Sequence, residues 1–247
     1  MRLELFYKSA AELSLILQTT TRLQSEFRAL ENIQSFNLAN KARNERGDLL
    51  KAAHVIKKKF RCENGVNICV HYSMKNNKCK TFDETMNMFA DFLQKASDQS
   101  TGINEVLLCS GGGKVKPTPD ALSVLRALPA SAVPPNIKLS VAYNPYEANI
   151  EVENERLAEK LQYVDKVYLQ FGTNVRKLIE GLEFIKKLDE GRAHNGKPVV
   201  VVGSCMLPSK QLLARFRFRP WAGMLLLLWH RLDHKNGFCT HFLLCLI

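Results

Sequence analysis

Glutamate, histidine, glutamine, tyrosine and a glycine run stand along this chain where short apolar stretches end. Such groups can move protons, pair with polar ligand edges and cradle a phosphate. Glu4 and Tyr7 close the first stretch, Asn37 and Asn40 the second, and His71 and Ser73 the third; Ser110, Gly111, Gly112 and Gly113 follow the fourth. Tyr143 and Asn144 close the fifth, Gln170 the sixth and Ser204 the seventh. A carboxylate such as Glu4 inside a desolvated interior has its pKa raised and can act as an acid. The Gln170 amide both donates and accepts, the rings of His71 and Tyr143 can pack on a flat ligand, and the glycine loop can offer backbone N–H groups to a phosphate. Each has a plainer reading: Glu4 as a solvated edge-strand residue, His71 as a core histidine, Gln170 as a satisfied interior amide, and 110–113 as a turn.

These groups need a scaffold, and the sequence specifies one. β-branched and aliphatic runs predict strands at Arg2–Tyr7, Asn32–Leu38, Val66–Ser73, Asn104–Cys109, Ile137–Tyr143, Asp165–Phe171 and Pro198–Gly203. Between them lie segments of helical period, such as Phe82, Met86, Phe89, Ala90 and Leu93, or Val175, Leu178, Ile179, Leu182 and Ile185. Helical crossovers return each strand parallel to the last. A parallel sheet is covered on both faces, which suits a run such as Val199-Val200-Val201-Val202. The expected class is α/β, a (βα)8 TIM-type barrel with seven clear βα units and an atypical eighth. A doubly wound open sheet is second, because no glycine-rich phosphate fingerprint follows the first strand. In a barrel the working residues sit at the C-terminal ends of the strands.

Composition narrows the function classes. With 46% hydrophobic and 24% charged residues among 247, the chain is globular rather than disordered, collagenous or coiled-coil. Of the net charge of +11, residues 191–247 carry +7 and the rest only +4. The body thus lacks the basic stripe of a nucleic-acid binder; Arg215, Arg217 and Arg219 read as a surface segment rather than an anion-binding strand face. Seven scattered cysteines without a Cys-x-x-Cys pair or zinc spacing point to reduced thiols and a cytoplasmic setting, with no metal. The N-terminal stretch lacks a long apolar core, so no secretory signal is expected. The apolar run 224–229 is too short to span a membrane. Residues 1–223 read as the barrel domain. Residues 224–247 read as an atypical hydrophobic tail: either a makeshift eighth unit with a strand at 238–247, or, the favoured reading, a non-native ending.

The order of motifs resembles the methylenetetrahydrofolate reductase family. It rests on Leu3-Glu4-Leu5-Phe6, Val70-His71-Tyr72-Ser73, the run Ile103 to Leu108, Ala142-Tyr143-Asn144-Pro145, Leu169-Gln170-Phe171, Glu155 to Lys160, and Pro198 to Pro208 with Lys210-Gln211-Leu212; it covers about residues 2–223. The resemblance implies an FAD-dependent barrel. Glu4 would be the proton donor and Gln170 a contact of a folate-like substrate. Asn37, standing for the family's threonine, would be a flavin contact with His71, Ser110, Gly111, Gly112, Tyr143, Glu153 and Lys160. Lys160 suits a pyrophosphate as a point charge, although on its helix, four residues after Arg156, it also reads as solvent-facing. The family's Arg-Gly-Asp after strand four is Ser110-Gly111-Gly112 here, so both charged groups are absent.

Two functions follow. The first is a flavin-dependent oxidoreductase of one-carbon metabolism, passing hydride between NADH or NADPH, FAD and a folate-like substrate. The second is a non-catalytic barrel that binds a ligand or a partner, having lost the strand-four charges. Neither involves nucleic acid or a membrane.

Overall fold

The computed structural model describes residues 2–5, 7, 9–26, 35–40, 46–60, 65–76, 79, 81–111, 119–192 and 197–203. Strands and helices alternate: β1 (Arg2–Leu5), α1 (Ala10–Glu26), β2 (Ser35–Leu38), α2 (Arg46–Lys59), β3 (Asn67–Ser73), α3 (Phe82–Ala96), β4 (Ile103–Cys109), α4 (Ala121–Ala127), β5 (Lys138–Tyr143), α5 (Ile150–Lys160), β6 (Lys166–Leu169), α6 (Val175–Gly191) and β7 (Val200–Val202). All seven predicted strands are present. Most of the expected runs overshoot the ladders by a residue or more, as at Asp165–Phe171, where β6 is Lys166–Leu169, whereas Asn104–Cys109 starts one residue inside β4. The tail 224–247, its 238–247 strand, Ser204, Gly112, Gly113 and the arginines 215, 217 and 219 lie outside the described residues.

The chain forms two compact units, Met1–Val141 and Ala142–Ile247. In the first, β1 through β5 pair in chain order and every pair is parallel. In the second, β6 pairs with β7, also parallel, and the Gln170 N–H donates to the Tyr143 carbonyl at 2.8 Å. The strands thus follow chain order, as crossovers through helices require. The fold is α/β with a parallel seven-stranded sheet. Among the described residues no helix is long and apolar enough to cross a membrane.

In the first unit the two sides of the sheet are distinguishable. Phe36 meets Phe60, just past α2, with ring centroids 4.8 Å apart, and Tyr72 meets Phe89 and Phe92 of α3 at 4.6 and 5.1 Å. Helix α3 begins at a cap in which the Thr81 hydroxyl accepts from the Glu84 N–H at 3.1 Å. It buries Phe89, Phe92, Leu93 and Ala96, the three-and-four spacing of a core-facing stripe. Phe82, at the start of α3, is exposed.

The stripe expected on α6 is turned. Val175 and Ile179 are exposed, whereas Gly181 and Ile185 are buried. The reason lies at Gly181, where a Cβ would stand 2.7 Å from Pro145 Cβ and 3.2 Å from the Tyr143 ring. That close approach draws the line through 181 and 185 inward and leaves 175 and 179 on the flank.

Candidate functional site

Alternation along a strand sends every second side chain to the same side of a sheet. Since Phe36 and Tyr72 face α2 and α3, Asn37, Cys69, His71 and Ser73 belong to the opposite face. The register makes a row there: Glu4 pairs with Asn37, Asn37 with Cys69, Cys69 with Glu105, and Glu105 with Lys138. Glu4 and Lys138 are exposed, but Asn37, Cys69 and Glu105 are buried, Glu105 to 3%. His71 lies two residues beyond Cys69 on the same face, in register with Leu107. It is half-buried, with its Nε2 shielded from solvent. From strand spacing and rise, the His71 and Glu105 backbones stand about 8 Å apart on a diagonal, within reach of an imidazole and a carboxylate.

Glu105 reaches this face through an irregularity. Ile68 pairs with Ile103, yet the next residue, Cys69, pairs with Glu105, so Asn104 has no opposite number. This is a β-bulge, a device that bends a strand and re-aims side chains. Without it Glu105 would pair with Val70 and point into the helix layer.

Above the row, at the C-terminal ends of β3 and β4, backbone and side chains are tied together. Ser110 accepts from the Lys75 N–H through its carbonyl and from the Ala121 N–H through its hydroxyl, both at 3.1 Å. Gly111 has a φ of +91°, and a Cβ there would lie 2.6 Å from Lys75 Cβ and 3.0 Å from Ser73 Oγ. Asn76 Nδ2 donates to the side chain and backbone of Asn40, at 2.6 and 3.0 Å. Tyr7, beyond β1, is buried, and its hydroxyl has no hydrogen-bond partner among the described residues. Burial first, and then the charge of Asp48, push its pKa up to about 12.

A separate polar cluster sits in the second unit. Lys160 is buried at the end of α5; its Nζ donates to the Ala142 carbonyl at 3.2 Å and stands 4.0 Å from Glu153 Oε1. Glu153 Oε1 also accepts from the Asn144 N–H at 3.2 Å. The Tyr143 hydroxyl donates to Asn154 Oδ1 at 2.6 Å, and burial followed by the nearby Glu153 charge raises its pKa to about 12. These links tie the end of β5 to α5. Gln170 is exposed, held through its backbone N–H.

Of the sequence candidates, Glu4, Asn37 and His71 thus share one face of the first unit, with Ser110 and Gly111 at the strand ends. Tyr143, Glu153 and Lys160 form their own group in the second unit. Gly112 lies outside the described residues. Sequence reasoning passed over Cys69 and Glu105. The signal for Glu105 was a lone acid inside an apolar strand. Among the described residues no group of three or more His, Cys, Asp or Glu could hold a metal ion.

No family model and no curated protein matches the chain. Among solved structures, oxaloacetate acetylhydrolase is similar with a TM-score of 0.52 at 13% identity, over 90% of this chain and 82% of that one. A 3-keto-D-glucoside 4-epimerase from E. coli is similar at 0.45 and 12% identity, over 89% and 87%. An EDTA monooxygenase from Chelativorans sp. BNC1 is similar at 0.36 and 13%, over 85% and 63%. These findings overturn the resemblance to the methylenetetrahydrofolate reductase family, and with it the flavin-dependent folate reductase, the flavoprotein and the one-carbon readings. FAD, the nicotinamide cofactor and the folate-like substrate had that resemblance as their only support, and the non-catalytic alternative gains no better support. The physical reason is that motif order along parallel strands reports the scaffold, while the charged residues that would have reported the family, its Arg-Gly-Asp, are absent. At these identities the likeness to the solved structures is one of fold.

Proposed function

We propose that the chain is a general acid–base enzyme acting on a small polar molecule, built on a TIM-type (βα)8 barrel to which the seven described strands belong. His71 is the proton-transfer group and Glu105 the buried carboxylate that orients and charges it. Asn37 and Glu4 extend the same row as hydrogen-bonding groups for the substrate. The observation that carries the reading is Glu105 itself: a carboxylate 3% exposed, delivered by a bulge to the face that also holds His71. A buried acid beside an imidazole fixes its tautomer and stabilises its protonated form, the arrangement general acid–base chemistry uses. His71, the fifth of the seven residues of β3, lies toward the C-terminal end of its strand, where parallel α/β folds place their working residues, and Glu105, the third of the seven residues of β4, lies deeper in the sheet. The seven scattered cysteines, without a Cys-x-x-Cys pair, support a reducing, cytoplasmic setting.

The test is the titration of the His71 ring, followed by nuclear magnetic resonance in the native protein and in Glu105→Gln. An ionised carboxylate within reach raises an imidazole pKa by about one unit or more, so the amide should lower the midpoint by about one pH unit. An unchanged midpoint refutes the pairing and the function built on it.

A further inference from the structure

We infer that Asn104 is a positioning residue: the bulge it forms, clasped by Asn67, aims the Glu105 carboxylate toward His71. The inference rests on the acid–base reading above and adds to it the device that sets the geometry. The sequence Ile103-Asn104-Glu105-Val106-Leu107-Leu108 poses a conflict. With Ile103 held opposite Ile68 on the helix side, strict alternation would send Glu105 and Leu107 into the helix layer and turn Val106 and Leu108 out of it. An ionised glutamate among Phe89, Phe92 and their neighbours would be heavily penalised. Skipping Asn104 resolves the conflict: Val106 and Leu108 stay with Val70 and Tyr72, while Glu105 and Leu107 join Cys69 and His71.

The skipped residue is not left loose. The Asn104 side-chain amide donates to Asn67 Oδ1 at the start of β3, a clasp across the two strands at the irregular step. A bulge also increases local twist and bends its strand, so it alters where the Glu105 side chain points as well as which face it occupies. Among the described side chains of the first unit, the other titratable groups on this face are Glu4 on β1, Cys69 on β3, Cys109 on β4 and Lys138 on β5. Only Glu105 follows the bulge directly.

The decisive variant is deletion of Asn104. It leaves Ile103 opposite Ile68 and Glu105 opposite Cys69 in an unbroken ladder, so the apolar pattern still fits and the protein should fold with a near-native thermal midpoint. What it removes is the bend. The His71 midpoint should then fall by at least half of the shift that Glu105→Gln produces, whereas Asn104→Gly, which keeps the extra residue and removes only the clasp, should lower it as Asn67→Ala does and by less than the deletion. A deletion variant that titrates like the native protein, while Glu105→Gln does not, overturns the inference and leaves the acid–base reading standing. If Glu105→Gln itself is silent, the acid–base reading has failed. Should the deletion variant not fold, Asn67→Ala decides: loss of the clasp should lower the His71 midpoint and speed hydrogen exchange at the Glu105 amide, and no change in either overturns the inference.

Discussion

Replacing Lys160 by methionine should cost about 3 kcal/mol of stability. The substitution keeps an unbranched stem and removes the ammonium group. Lys160 is buried with its side chain 7% exposed, and Glu153 is 17% exposed. The 4.0 Å between Nζ and Oε1 is too long for a hydrogen bond, so the attraction is Coulombic, while the direct bond runs to the Ala142 carbonyl at 3.2 Å. Methionine therefore removes the donor to one half-buried carbonyl and leaves one largely buried carboxylate without its countercharge. Breaking a buried pair from one side costs about 3–5 kcal/mol. The lower end applies because Glu153 keeps the Asn144 N–H. With a urea slope of about 2 kcal/mol per molar, the unfolding midpoint should fall by about 1.5 M. Adding Glu153→Gln, which neutralises the stranded charge, should recover about 2 kcal/mol, a non-additivity that a double-mutant cycle reads directly. If Lys160→Met alone costs less than about 1 kcal/mol, the range of exposed ion pairs, the cluster is not the buried clamp described and the argument is wrong.

Further outcomes follow from the same geometry. Gly172→Ala places a Cβ 2.3 Å from two atoms of the Tyr146 ring and should cost about 3 kcal/mol, seen as a lowered thermal midpoint; an unshifted midpoint would mean the ring is free to move. Tyr7→Phe removes a buried hydroxyl that has no hydrogen-bond partner among the described residues, so stability should be unchanged or raised by up to about 1 kcal/mol. Tyr7 and Tyr143 are both pushed up to about 12. Because the folded state favours the neutral phenol, this stabilisation is complete below pH 10 and is lost as pH rises through 12, by at most about 3 kcal/mol each. Absorbance titration should show a late phenol that vanishes in Tyr7→Phe and another that vanishes in Tyr143→Phe. Glu105→Met should leave thermal stability equal or higher, since a packed apolar side chain often outperforms a buried charge, while abolishing the influence on His71. A large loss of stability would recast Glu105 as structural.

The strands were legible because parallel strands are built from apolar runs, and Val106–Cys109 and Val200–Val202 supply them, although Val200 is exposed. That same property hid the bulge. Its one mark in the sequence is Asn104-Glu105, an acid that strict alternation from Ile103 would send into the helix layer, and the apolar residues around it outweigh that mark when the run is read as a whole. Lys160 misled for a different reason. Its helical position reads as solvated, yet a lysine stem can lie along apolar surface and carry the charge to a distant acceptor, here the Ala142 carbonyl. Tyr143 sits against Gly181 and Asn154 rather than on an open rim. The spacing of α6 gave no warning, because a glycine is silent in an apolar pattern although it sets how closely the helix approaches. The family resemblance failed at a different level: its matches lay in strand cores, which any parallel α/β scaffold needs, and its mismatches lay where chemistry resides.

That contrast bears on how Glu105 should be weighed. A buried ion is weak evidence of stabilisation, because desolvation offsets most of what a partner returns. The first unit could have met its packing needs with an apolar residue at 105, as it does at Leu107 on the same face. Instead the chain keeps a carboxylate there and carries an extra residue immediately before it, which breaks the ladder at one step and turns the acid toward the side that holds a histidine. Two departures from the rule of the strand, adjacent in sequence and serving the same placement, are hard to explain by packing. The histidine that the acid is turned toward lies in the C-terminal half of its strand, the part of a parallel sheet from which such folds work.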